Sequence, residues 1–299
     1  MKIIQPRPFA YGDIITNVPV SEVAWTAGTY SLGTRRYVNT TLDLYEVVVA
    51  STTDSPSVGY AKAVRTWERV GKINSYACFD GIVGHPTVGS NLDMYIYPNG
   101  DISNGLAFFN VAASTIRVTV MDATGGTITD RVIYDKTISL VDNSDISSWY
   151  DWTFAPIISR TDLALIDLPL YSSVRIRIQI PGPFSIGEMV VGRVIELGAV
   201  SFGTQVGVLD FSRKERDTFG NAILVQRAFA NLATYAVRLM TSRVGYVRRV
   251  LSNVRATPIV FIGSISRPET IIYGYYRDLT ITLAGPSSSD CSIEVEGLI

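Results

Sequence analysis

From Val174 to Ile180 the chain reads VRIRIQI, with Val174, Ile176, Ile178 and Ile180 alternating with Arg175, Arg177 and Gln179. A period of two sends the apolar side chains to one face and the polar ones to the other, the pattern of a strand packed on one side and wet on the other. Ile116, Val118 and Val120 alternate with Arg117 and Thr119 in the same way. GEMVVGRVIELG, from Gly187 to Gly198, reads as a further strand. Gly125 and Gly126 in DATGG supply the positive φ of a tight hairpin turn. Short runs rich in Val, Ile, Thr and Tyr, separated by turn residues, predict a mainly β chain with a jelly-roll-like β-sandwich over residues 60–199.

Residues 1–50 read as a Pro-containing N-terminal arm, IIQPRPFAYGD, followed by a small β module with strands near 37–39 and 44–50. Such an arm can add a strand to a neighbour's sheet edge. STTDSPSVG, residues 51–59, is polar and turn-forming and reads as a linker. Residues 200–299 change period once: Val244, Val247, Val250, Leu251 and Val254 share one face of a helix. Thr241 or Ser242 can cap its start, and Pro258 lies beyond its end. Strand-like runs before and after this helix predict an α+β domain with an antiparallel sheet and one main helix.

Composition narrows the function. The 299 residues are 47% hydrophobic and 18% charged, which predicts surface hidden against partner subunits. Yet no run approaches the roughly 18 apolar residues of a membrane span, so no membrane insertion is expected. A net charge of −1 gives no basic stripe for nucleic acid. The opening MKIIQPRPFAYGD has too short an apolar run for a secretory signal. Cys78 and Cys291 are too few and too distant for a disulfide framework, so a reducing origin is expected. Any Ser-His or Cys-His mechanism would have to use His85, the one histidine. No metal or cofactor is implied, and the balance leans away from an enzyme. Carboxylate-only chemistry remains, but nothing singles out a pair among Asp122, Asp130, Asp145, Asp151 and Asp162.

Four segments carry candidate function. WERVGKINSYACFDGIVG (67–84) brings Cys78 and Asp80 close to His85. Its alternation predicts a strand that buries Cys78 and opens the sandwich, with Trp67, Tyr76 and Phe79 as packing anchors. Arg213, Lys214, Glu215, Arg216 and Asp217 form a charged run that suits an assembly contact or a solvated connection. Arg243, Arg248, Arg249 and Arg255 make the polar face of the predicted helix basic, a solvated or subunit-facing surface. The fourth is WTAGTYSLGTRRYVNTTLDLYEVV, where Trp25, Tyr30, Gly33 and the pair Tyr45–Glu46 match the spacing of small chitin-binding modules. Arg36 stands where that pattern has an apolar residue. The segment resembles those modules over about twenty-five residues, and the resemblance implies sugar stacking at Trp25, Tyr30 and Tyr37. The alternative is that these aromatics are the core of a tiny domain.

WERVGKINSYACFDGIVG, GEMVVGRVIELG, GTQVGVLDFSRKERDTFGN and CSIEVEGLI, taken together, resemble a family of tailed-bacteriophage virion proteins assigned to the tail or tail tip. The likeness runs from about Trp25 to the C-terminus. It implies a structural tail component made in the host cytoplasm and held in the virion among copies of itself and other tail proteins. Such a component could present a module to host-surface glycans. A carbohydrate-binding adhesin is the alternative, and a polysaccharide-degrading enzyme with two carboxylates a third.

Overall fold

The computed structural model describes residues 1–98, 102–122, 131–142, 146–154, 156, 158–171, 174–216 and 218–298. The expected turn at Gly125 and Gly126 lies outside them. The chain is mainly β, as the alternating runs predict.

The first strand, β1 (Lys2–Pro6), is the arm expected to reach a neighbour. It lies instead within this chain's own sheet. Adjacent residues of a strand point to opposite faces, and Ile3 and Ile4 are both fully buried, so β1 is covered above and below. After β2 (Ile14–Thr16) comes the small module: β3 (Tyr30–Ser31), β4 (Arg35–Tyr37), β5 (Asp43–Val47), β6 (Ser51–Thr52), α1 (Pro56–Ala61) and β7 (Trp67–Lys72). β4, β5 and β7 form one sheet, and β3 pairs with β6. Residues 51–59 therefore carry β6 and the start of α1, where a linker was expected. The strand that begins at Trp67 closes this module and does not open the sandwich. Trp67 decides that placement: it is fully buried against Tyr30, Tyr45 and Val47, and its Nε1–H donates to the Asp54 carbonyl at 3.0 Å.

The strand expected through SYACFDG is instead a 3-10 helix, Asn74–Phe79. Side chains take backbone donors that a sheet ladder would need. Asn74 N–H donates to Glu22 Oε1 at 2.8 Å and Cys78 N–H to Thr87 Oγ1 at 2.9 Å.

The sandwich is built from β8 (Thr87–Gly89), β9 (Leu92–Ile96), β10 (Gly105–Ala112), β11 (Thr115–Asp122), β12 (Val132–Ser139), β13 (Val141–Asp142), α2 (Trp149–Phe154), β14 (Ile158–Ser159), β15 (Leu163–Leu165), β16 (Val174–Ile180) and β17 (Phe184–Glu196). One sheet has the order β12-β11-β16-β9-β2. Its inward Ile116, Val118, Ile176, Ile178 and Met94 meet Leu106, Phe108, Ile186 and Met189 of β10 and β17. The outward residues are satisfied in pairs, as where the Arg177 guanidinium grips both oxygens of Asp93 at 2.8 and 2.7 Å.

The remaining elements are β18 (Ala199–Val200), β19 (Gln205–Asp210), β20 (Arg213–Arg216), β21 (Ala222–Val225), β22 (Phe229–Met240), α3 (Val244–Asn253), β23 (Ile259–Ser264), β24 (Arg267–Thr282) and β25 (Ser288–Gly297). The larger sheet runs β15-β10-β17-β1-β23-β24-β25-β22-β18, with β19 also on β22 and β8 on β17. Residues 60–199 and 200–299 thus share one sheet, and β1 is the strand between them. On one face α3 lays Val247, Leu251 and Val254 against Ile3, Tyr235, Phe261 and Ile293. The expected helix is present, but no side-chain hydrogen bond caps its start. Thr241 Oγ1 is occupied elsewhere, with the Gly285 carbonyl and Ser289 Oγ, each at 2.9 Å. Among the described residues no helix is long and apolar enough to cross a membrane.

Truncating a fully buried Ile removes transfer energy and leaves a cavity, so Ile3→Ala is expected to cost about 2–5 kcal/mol. The urea midpoint should fall with the slope unchanged. A loss below about 0.5 kcal/mol would place β1 outside the cooperative core.

Candidate functional site

The structure places the sequence's candidates in four separate locations. The first is the aromatic module. Tyr30 is buried, its ring meets Trp67 edge to face at 5.6 Å between centroids, and the Arg36 guanidinium lies 5.1 Å over it. Its hydroxyl donates to the Thr26 carbonyl at 2.7 Å. Tyr30 is therefore engaged by Arg36 and Trp67 and is buried, which leaves little of its ring for a sugar. Trp25 and Tyr37 are half-buried neighbours, joined where Trp25 N–H donates to the Tyr37 carbonyl at 2.8 Å. The indole N–H of Trp25 is turned inward and meets no acceptor. Arg36, the departure from the chitin-binding pattern, works here as the lid on Tyr30.

The second location gathers the polar groups around the 3-10 helix. Asp80 has a fully buried carboxylate that accepts from Ile82 N–H at 2.8 Å and Lys72 N–H at 3.2 Å. The same Oδ2 meets His85 Nδ1 at 2.8 Å. Gly71 makes room for the pair, because a Cβ there would stand 2.6 Å from both Asp80 Oδ2 and His85 Nδ1. Gly81 turns the chain with φ +80° and donates its N–H to Glu188 Oε2 at 3.0 Å. Glu188 projects from β17 toward Tyr273 of β24, and the two side chains are hydrogen-bonded. Burial is the main reason the Glu188 carboxyl is pushed up to about 9, with the Asp80 charge adding to it. It is therefore protonated at neutral pH. Phe9, Tyr76 and Phe79 line the adjoining cavity of about 480 Å³.

Cys78 is fully buried beside this cluster, and burial pushes its thiol up to about 12, so it holds no thiolate for attack at neutral pH. The sequence placed Asp80 and His85 near each other only along the chain, and did not single out Glu188. The available signal was one carboxylate inside the apolar run SIGEMVV, which has to be partnered or neutral when buried. Among the described residues no three His, Cys, Asp or Glu side chains are placed to hold a metal ion.

The third location is the charged run. Arg213, Lys214, Glu215 and Arg216 form β20, which pairs with β21 in the register Arg213↔Val225, Lys214↔Leu224, Glu215↔Ile223 and Arg216↔Ala222. Asp217 lies outside the described residues. All eight residues of the two strands are exposed. Arg213 pairs with Glu215, and Lys214 with Asp210 at 2.6 Å. A second exposed feature was not foreseen. α2 sits in the excursion between β13 and β14 and carries Trp149, Tyr150, Trp152 and Phe154, none of them buried. Four aromatics in six residues, WYDWTF, were the signal. Asp151 holds this helix together, its Oδ2 accepting from Ser147 N–H, Ser147 Oγ and Ser148 N–H.

The helix arginines, the fourth location, divide. Arg248, Arg249 and Arg255 are exposed, Arg255 Nε donating to the Ser252 carbonyl at 2.9 Å, whereas Arg243 is half-buried and its Nη2 donates to the Glu196 carbonyl at 3.0 Å. Of the five candidate aspartates, Asp122 ends β11, Asp151 accepts from the Ser147 and Ser148 N–H groups at the start of α2, and Asp162 accepts the Asn110 N–H at 3.1 Å. Asp130 and Asp145 lie outside the described residues. No family model, no curated protein and no solved structure matches this chain.

Glu188 gives a pH signature. Its folded value of about 9 lies above the usual 4.5, so between those limits the native state holds a proton that the unfolded state has lost. The stabilising contribution is complete below about 4.5 and is lost as pH rises toward 9. The upper limit of the slope is about 1.4 kcal/mol per pH unit. Glu188→Gln keeps a neutral group of the same shape, so its urea midpoint should fall less than that of the parent between pH 5 and pH 8. Equal slopes would show that burial does not hold this proton.

Proposed function

We propose that this chain is a structural component of a bacteriophage tail, in the tail-tip, baseplate or fibre-attachment region. It works by packing against copies of itself and other tail proteins. The observation that carries this reading is the strand AILV of β21, whose side chains are all exposed. A strand apolar on both faces is the pattern of one covered on both sides. A lone two-stranded ribbon is marginal in water. Exposed Trp149, Tyr150, Trp152 and Phe154 ask for cover in the same way. The resemblance of SRKERDTFGN and its companion segments to tail proteins supplies the setting, the virion. Buried Cys78, and Asp80 and Glu188 turned inward on their own loop and sheet, favour a structural role over catalysis.

Antibody-labelled electron microscopy of purified tails should find the chain in the particle. Leu224→Asp, at an exposed strand position, should leave the melting temperature of the isolated chain unchanged and cut incorporation at least tenfold, about 1.4 kcal/mol of contact energy. A chain absent from particles, or incorporated equally well with this substitution, would sink the reading.

A host-glycan role for the module rests on Trp25 and Tyr37, the half-exposed pair. Because the Trp25 indole N–H points inward, Trp25→Ala is expected to lower the melting temperature of the chain. An unchanged melting temperature with loss of retention on chitin beads would favour the sugar platform instead.

A further inference from the structure

We propose that α2 of one copy seats on the β20–β21 ribbon of a second copy of this chain. The proposal rests on the assembly reading and names its partner. Within one chain the two elements do not cover each other, since neither α2 nor either strand of the ribbon has a buried residue. Both rise from one groove, lined by Asp142, Ser159 and Arg160 at the base of the α2 excursion and by Val206 and Val208 at the base of the ribbon.

Their chemistry is complementary. The α2 excursion from residue 143 to residue 158 contains two aspartates and no lysine or arginine, whereas residues 213–227 contain four basic side chains and two acidic ones. Two of those basic groups are already matched or neutralised, Arg213 by Glu215 and Lys214 by Asp210. Arg216 reaches only the Gly220 carbonyl, at 3.2 Å, and among the described residues neither it nor Arg227 has a carboxylate partner. Guanidinium groups pack on the faces of Trp and Tyr, and the acidic excursion strengthens that attraction. Leu224 and Ala222 share a face of the ribbon with Arg216 and offer the apolar floor beside that guanidinium, while Ile223 and Val225 lie on the opposite face.

A fully covered aromatic buries about 150–250 Å², and these four are still 60–82% exposed, so they can supply more than half of the roughly 800 Å² that each partner contributes to a standard interface. Trp, Tyr and Arg are also the side chains that dominate binding energy when centred in an interface.

The test uses the full chain with the photo-crosslinker p-benzoylphenylalanine in place of Tyr150, mixed with an unsubstituted heavy-nitrogen copy. Irradiation should give a product of twice the chain mass, with position 150 of the light copy joined to residues 213–227 of the heavy copy. Trp149→Ser combined with Trp152→Ser should weaken self-association at least tenfold in sedimentation equilibrium, with an unchanged melting temperature because neither indole is buried. Arg216→Asp should weaken it in the same direction, and pairing it with Asp151→Asn should recover part of the loss. Crosslinks that fall elsewhere or within one copy would overturn the proposal. So would association indifferent to the double tryptophan variant, or a chain still monomeric at about 100 µM, far above a micromolar Kd. If the chain fails in one of these ways but is found in tail particles, the contact proposed here falls and the tail reading stands. Absence from particles removes both.

Discussion

The insertion of β1 between β17 and β23 is the constraint on which the rest of the structure depends. Without it the sandwich sheet would end at β17 and the α3-covered sheet would begin at β23, each with an open edge. Five residues join the two, and they do so because Ile3 fills the core under α3 while Ile4 fills the opposite face with Phe109, Val260 and Tyr273. A strand apolar on both faces is suited to a central position, and a sheet closed in this way exposes fewer unpaired N–H and C=O groups.

The buried polar cluster acts across the same junction. Asp80 and Gly81 come from the loop after the small module, Glu188 from β17 and Tyr273 from β24. The cluster therefore ties the module, the sandwich sheet and the C-terminal sheet together through hydrogen bonds that hold their geometry. Its groups are satisfied by one another, which is the condition under which buried polar atoms specify an arrangement without a large desolvation cost. Asp80, Gly81, Glu188 and Tyr273 thus meet at a junction, with Cys78 packed beside it and buried.

The exposed elements follow the opposite logic. Where the core covers its inward apolar side chains, the β20–β21 ribbon and α2 present apolar and aromatic groups to solvent from elements that are themselves formed within the chain. The internal pairs of the ribbon and the Asp151 cap on α2 keep these shapes in the single chain. Such preorganisation lowers the entropy lost when two surfaces meet.

The sequence by itself determined the local period: VRIRIQI as a one-sided strand and the three- and four-residue spacing of α3. These are set by side-chain polarity along a few residues, and period is a local property. The tertiary structure alone decided where β1 and β7 pair, why 74–79 winds as a 3-10 helix, and that Glu188 joins Asp80. Each of these depends on groups distant in sequence: Ile262 and Glu196 across from Lys2, Thr87 Oγ1 for the Cys78 N–H, Gly81 N–H for Glu188. Partner choice among strands is set by burial on faces that do not exist until the sheets have packed, and that physical order keeps it out of reach of local pattern.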